Sequence, residues 1–263
     1  MTIDSTPQLA PRGRSRVTRV VVGVLIVLVG VIALLVVIGR DSKLQESAET
    51  YQGVSSVVLD LDNSPVELVV GGDEVEVSKS ATVGFLGGST REEQAGATLR
   101  LIHDCPAFGG FGCRASYSIT VPRGTSVSGG TSNGGITIED VEGTIDLSTS
   151  NGSITLDGVS ALEVRARTSN GRITGTGLLS PDMDVRTSNG RVSLTFVEAP
   201  TTVAIRSSNG EIEVVVPSDS PAYAVDSSTS NGQTRADIRT DPSSGNRIQA
   251  STSNGDITVR YAE

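Results

Sequence analysis

Thr149-Ser-Asn-Gly-Ser-Ile-Thr-Leu-Asp157 is one of seven similar stretches in a chain of 263 residues. Its core, Thr-Ser-Asn-Gly or a close variant, recurs at Asn133-Gly134, Asn151-Gly152, Asn170-Gly171, Asn189-Gly190, Asn209-Gly210, Asn231-Gly232 and Asn254-Gly255. The spacings are 18, 19, 19, 20, 22 and 23 residues. Self-similarity at a fixed period of this length marks a stacked architecture in which each unit buries its apolar face only against its neighbours.

Aligned on Asn, the copies show which positions face inward, because strand side chains alternate between faces. Six residues before Asn stand Val127, Ile145, Val164, Met183, Val203, Val225 and Ile248. Three residues after it stand Ile136, Ile154, Ile173, Val192, Ile212, Thr234 and Ile257. The residues between are Ser, Thr, Arg, Asp or Glu, so each copy reads as two short alternating strands around a Ser-Asn-Gly corner. Asn tolerates the left-handed backbone region and Gly adopts it freely, which predicts a sharp bend at each corner. A meander of Asn-Gly hairpins and a β-helix both satisfy the local pattern. Only stacking at about 4.8 Å explains why residues nearly twenty apart match in type. The expected fold is all-β, a single-stranded parallel β-helix or solenoid of about 19-residue coils, preceded by one transmembrane helix. Scarce aromatics, absent Trp and abundant Gly suit such a thin Val/Ile core.

From Val20 to Ile38 every residue is apolar or Gly, and a helix of that run nearly spans a hydrocarbon core of about 30 Å. The run is too long for a signal peptide and lacks a small-x-small cleavage site. Arg12, Arg14, Arg16 and Arg19 precede it, which places the N-terminus in the cytoplasm. The expected organisation is a cytoplasmic Arg-rich tail (1–19), a transmembrane helix (20–39), a linker (40–50), N-terminal capping coils (51–122) and solenoid repeats (123–263). That makes a single-pass protein of the cell membrane with its C-terminal domain outside. The first forty residues carry a formal +4 against −9 for the whole chain, which leaves −13 for the remainder. So acidic a domain repels nucleic acid, and no nucleic-acid partner is expected.

Several residues qualify as sites. Cys105 and Cys113 bracket a Gly-rich stretch and read as a disulfide in an oxidising compartment. His103 is the only His, so a four-ligand zinc site is not expected, and without a nucleophile or orienting carboxylate beside it His103 reads as ordinary surface. Three residues before Asn stand Arg167, Arg186 and Arg206, and two after it Arg172 and Arg191. Together they form a basic stripe suited to an anionic envelope polymer, or else a solvated face of cross-rung ion pairs. Glu139 and Asp157 share an offset, as a calcium site or a polysaccharide-cleaving cleft would require, but two carboxylates support neither. No cofactor and no catalytic residue is expected. Phe108 and Phe111 are candidates for contact with a partner or the membrane surface.

The alternating opening from Leu59 to Val77, the segment Tyr117-Ser-Ile-Thr-Val-Pro-Arg-Gly124 and serial corners such as Thr149-Ser-Asn-Gly-Ser-Ile-Thr-Leu-Asp-Gly-Val159 resemble the bacterial "putative adhesin" family of domains of unknown function. The match covers most of residues 51–263. The resemblance implies a β-helix tethered to a bacterial membrane and displayed outside, and it supplies no catalytic residues. Some relatives are linked to envelope stress responses. Two functions are therefore expected to compete. One is a surface interaction or adhesin-like module that contacts envelope polymers or another surface protein. The other is a sensory or regulatory membrane protein.

Overall fold

The computed structural model describes residues 24–31, 43–83, 88–105 and 113–263. The chain divides into two units, Met1–Ser42 and Lys43–Glu263. In the first, residues 24–31 are helical; the rest of the apolar run and the Arg-rich tail lie outside the described residues. Among those described, no helix is long and apolar enough to cross a membrane.

The second unit holds 21 strands in two sheets, one of eleven and one of ten. Each repeat gives one strand to each sheet. Strands that precede a corner, such as Ile145–Thr149, Glu163–Thr168, Asp182–Thr187 and Thr202–Arg206, pair in parallel with no slip. Strands that follow it, such as Ile154–Asp157 and Ile173–Leu178, pair in parallel in the other sheet, with one register shift between Gly175 and Leu178 against Val192–Phe196. The column before Asn thus runs Val127, Ile145, Val164, Met183, Val203, each 2% exposed or less. Facing it, Ile136, Ile154, Ile173, Val192 and Ile212 are equally buried. A continuous Val/Ile/Leu core between the sheets results, as the period-2 pattern requires.

The corners stack as well, and their side chains make a ladder. Asn133 donates its Nδ2 to Asn63 Oδ1 at 2.5 Å, Asn151 to Asn133 at 2.6 Å, and Asn170 to Asn151 at 2.9 Å. Asn189, Asn209, Asn254 and Asn231 continue it. Beneath it runs a second ladder of buried hydroxyls. Thr149 Oγ1 donates to Gly134 O at 3.0 Å and accepts from Gly152 N–H, and Thr168, Thr187 and Thr252 each donate to the glycine carbonyl of the adjoining corner. Each bond satisfies a corner carbonyl turned away from the strand ladders. Replacing Asn170 with Ala removes two of the amide bonds. Because their partners stay in reach of water, the expected cost is about 1 kcal/mol, read as a lower urea midpoint with an unchanged slope.

Two expectations change. The corner Asn-Gly pairs do not bend through the left-handed region: among described non-Gly residues only Asn63 and Asp140 have positive φ, and of the seven corner glycines only Gly232 and Gly255 do. The corners need Gly for space. A Cβ on Gly152 would stand 1.7 Å from Gly134 O, and one on Gly171 1.8 Å from Gly152 O.

The segment read as a linker, 40–50, is from Lys43 an edge strand, Lys43–Tyr51, antiparallel to Val75–Val83. Positions 47, 49 and 51 align with the inward-facing Lys79, Val77 and Val75, and hold Ser, Glu and Tyr, so no apolar alternation betrays the strand.

Coil order in space is also not coil order in sequence. The coil of Asn254 lies between those of Asn209 and Asn231. At the other end the coil of Asn63 lies between the pair Thr98–Asp104 and Arg114–Val121 and the coil of Asn133. The coil of Asn63 and the coil of Asn254 are each tucked one rung inside the stack.

Candidate functional site

Parallel register without slip puts like residues side by side on the outer face as it does in the core. On the sheet that precedes the corners, the column three residues before Asn runs Gly130, Ser148, Arg167, Arg186, Arg206, Ser251. The column next to the corner holds Ser132, Ser150, Ser169, Ser188 and Ser208. Together they line an open groove of about 940 Å³ along the stack. Small residues line its ends, joined by Asp60 and Asp62 at the end nearer the N-terminal cap, and three guanidinium groups occupy its middle at one-coil spacing.

Flanking acids hold part of this charge. Arg167 meets Asp146 at 2.9 Å and Asp184 at 3.9 Å, while Arg186 meets Asp184 at 2.8 Å. All are partly exposed, so each pair contributes little to stability. Arg206 has no ion pair among the described residues and is exposed.

The structure splits the five-arginine stripe. Arg172 and Arg191 sit beyond the asparagine ladder, at the start of the other sheet, and Arg191 pairs with Glu211 at 2.6 Å. Glu139 and Asp157 are register partners, and Asp157 accepts a hydrogen bond from Thr176 Oγ1 at 2.7 Å. Among the described residues no third carboxylate joins them in a metal-binding group.

Cys105 and Cys113 form a disulfide. Phe108 and Phe111, inside its loop, lie outside the described residues. His103, expected at the surface, is only 3% exposed. It aligns with Leu61, which aligns with Thr131, and so occupies in the last parallel rung the buried column that the repeat fills with Thr. On its other side the antiparallel strand Ser89–Ala95 sets Thr90 opposite it.

Sequence reasoning also missed a polar cluster inside the N-terminal cap. Lys79 Nζ and Glu92 Oε1 approach to 2.6 Å with both side chains largely buried, and Tyr51 donates to Glu92 and Glu49. Burial, followed by the nearby carboxylates, raises the Tyr51 phenol above its ordinary value. Burial, with Glu92 second, does the same to Tyr117. No spacing in the sequence brings Tyr51, Lys79 and Glu92 together; only the antiparallel cap does.

Repeat and register meet in one comparison: the Toastrack DUF4097 profile matches residues 111–260, more than half of the chain. The chain belongs to that family. One solved structure extends the likeness of this Toastrack chain beyond the matched segment, at the level of fold. A protein of Bacteroides fragilis described as a putative adhesin is 13% identical and has a TM-score of 0.51, covering 84% of this chain and 97% of its own. One of Clostridium sporogenes, described as a putative cell adhesion protein, is 13% identical with a TM-score of 0.39, covering 84% and 100%. No curated protein matches the Toastrack chain in sequence.

Proposed function

We propose that this chain is a non-catalytic surface module, anchored in a bacterial cell membrane by residues 20–39 with its Toastrack domain outside, and that its arginine groove holds an anionic envelope polymer. The observation that carries the reading is the in-register row Arg167, Arg186, Arg206 along an open groove. A parallel stack repeats a charge every 4.8 Å or so, a linear array that a chain of regularly spaced anions can follow. Like charges so close oppose folding mildly, and Asp146 and Asp184 at the groove's edge offset that cost without filling the groove. Surrounding serines supply hydroxyls that donate to phosphate or carboxylate oxygens. The apolar run and the four arginines before it support the anchor and its orientation.

The test is binding of the full chain in detergent micelles to a poly(glycerol phosphate) and to neutral dextran. The anionic polymer should bind and weaken with salt, and dextran should not. Combining Arg167→Ser, Arg186→Ser and Arg206→Ser should lower affinity about tenfold or more. Three exposed contacts at up to about 1 kcal/mol each exceed the roughly 1.4 kcal/mol of one decade. Unchanged binding in the triple variant would refute the groove as the site. Arg172→Ser with Arg191→Ser, off the groove, should leave affinity as it was.

A further inference from the structure

The corner of the coil that meets the antiparallel cap strands differs from the others. Where the repeat has Ser-Asn-Gly, the strands Thr98–Asp104 and Arg114–Val121 are joined through Cys105 and Cys113, with His103 at the end of the first strand. His103 Nδ1 lies 2.5 Å from the carbonyl oxygen of Asp62 and 2.7 Å from Ser64 Oγ, and Ser64 Oγ itself donates to the same carbonyl at 2.6 Å. A carbonyl oxygen only accepts, so the proton of a neutral His103 sits on Nδ1 and its lone pair on Nε2. That lone pair stands 3.5 Å from Cys113 Sγ and 3.8 Å from Cys105 Sγ.

We propose that His103, Cys105 and Cys113 form a redox-gated site for a thiophilic divalent cation, closed by the disulfide and opened by its reduction. The three donor atoms lie within 4.8 Å of one another, the one such group among the described residues. Tetrahedral zinc with bonds of about 2.3 Å to sulfur and about 2.05 Å to nitrogen sets those atoms about 3.6 Å apart. The imidazole is already at that separation from both sulfurs, and only the sulfurs need to part. The Nδ1–H bond to a main-chain carbonyl is the outer-shell support that ligating histidines have, fixing tautomer and ring orientation. Asp62 also accepts the Cys105 N–H through its carboxylate at 3.2 Å, which ties both ligand-bearing residues to one neighbouring corner. A solvent molecule completes the coordination.

Opening needs an external dithiol. One of its thiolates attacks Cys105 Sγ, the less buried sulfur, breaking the disulfide and releasing Cys113 as thiolate. Its second thiol then closes its own disulfide and frees Cys105. The two electrons and two protons come from the dithiol, and the protons pass to water when the cation takes both thiolates.

The experiment uses the full chain in detergent, reduced with dithiothreitol, desalted without oxygen and titrated with Co²⁺. Reduced wild type should take one equivalent with a thiolate-to-cobalt charge-transfer band that Zn²⁺ bleaches, and the oxidised chain should take none. His103→Asn and Cys113→Ser should each weaken binding at least tenfold, while circular dichroism reports retained sheet. Zn²⁺ should raise the thermal midpoint of the reduced wild type but not of reduced Cys113→Ser, a comparison that needs no histidine variant to fold. No band in the reduced wild type, or a folded His103→Asn that binds as tightly as wild type, would overturn the assignment.

Discussion

Gly134→Ala should destabilise the domain by about 3 kcal/mol or more, while Gly135→Ala, the next residue, should change stability by no more than about 1 kcal/mol in either direction. An added Cβ at 134 would stand 1.8 Å from Ser64 O, a main-chain atom of the neighbouring coil. To relieve it two rungs must separate, breaking the parallel ladder on both sides of the corner. An added Cβ at 135 meets nothing closer than Ser153 O at 3.5 Å, and neither glycine has a φ that an L residue avoids. Equilibrium urea unfolding of the two variants separates crowding from backbone freedom as the reason for the corner glycines. Equal losses would show that flexibility decides, and crowding would fail as the explanation.

A chain ending at Asn246 should lose more than its last repeat. The strands Arg247–Asn254 and Ile257–Tyr261 are flanked on both sides, and Ile248, Ala250, Ile257 and Val259 are all 2% exposed or less. Burial of each large aliphatic side chain contributes about 1.5–3 kcal/mol. Without them Ala224–Asn231 and Thr234–Asp237 lose the strands beside them, since among the described residues their strand partners are the two removed. The expected result is rapid protease cleavage between residues 218 and 240 and a midpoint well below that of the intact domain. Excising the spatial end rung instead, residues 222–246, should cost less: it removes the buried Tyr223 and Ala224, but in its second strand Thr234 and Ala236 are exposed, and it leaves Arg247–Asn254 and Ile257–Tyr261 paired with the coil of Asn209. If the two deletions proved equal, position in the stack would not govern stability.

Much of this fold could be read from the repeat alone. Seven Asn-Gly corners and an apolar column six residues before each are enough to set the parallel register, because a slip by one residue would turn every Ile to solvent. The groove arginines on the preceding strands follow from the same alignment. Other features were hidden for particular reasons. Thr234 and Ala236 break the apolar columns in the sixth copy while Ile257 and Val259 restore them in the seventh, which is the trace of a sixth copy at the spatial end; drift in repeat length obscured it. The Thr of Thr-Ser-Asn-Gly belongs to the motif, but its bond to a carbonyl one coil away is visible only once coils are stacked. Arg191 looked like part of one stripe with Arg186. The ladder of asparagines separates them, because the chain changes sheets at the corner.

The two tucked coils change how such a domain comes into being. A simple stack can grow rung by rung as the chain is made, each new coil resting on the last. Here the rung of Asn231 has no finished neighbour until Arg247–Tyr261 has arrived and slid between it and the rung of Asn209. At the opposite end the rung of Asn63 gains both neighbours only after residues 98–139 exist. Both closures join segments far apart in the chain, whose loop-closure entropy slows assembly. The middle coils are therefore the place for the chain to nucleate, and the two ends lock last, so the domain is complete only when its final residues are free to enter.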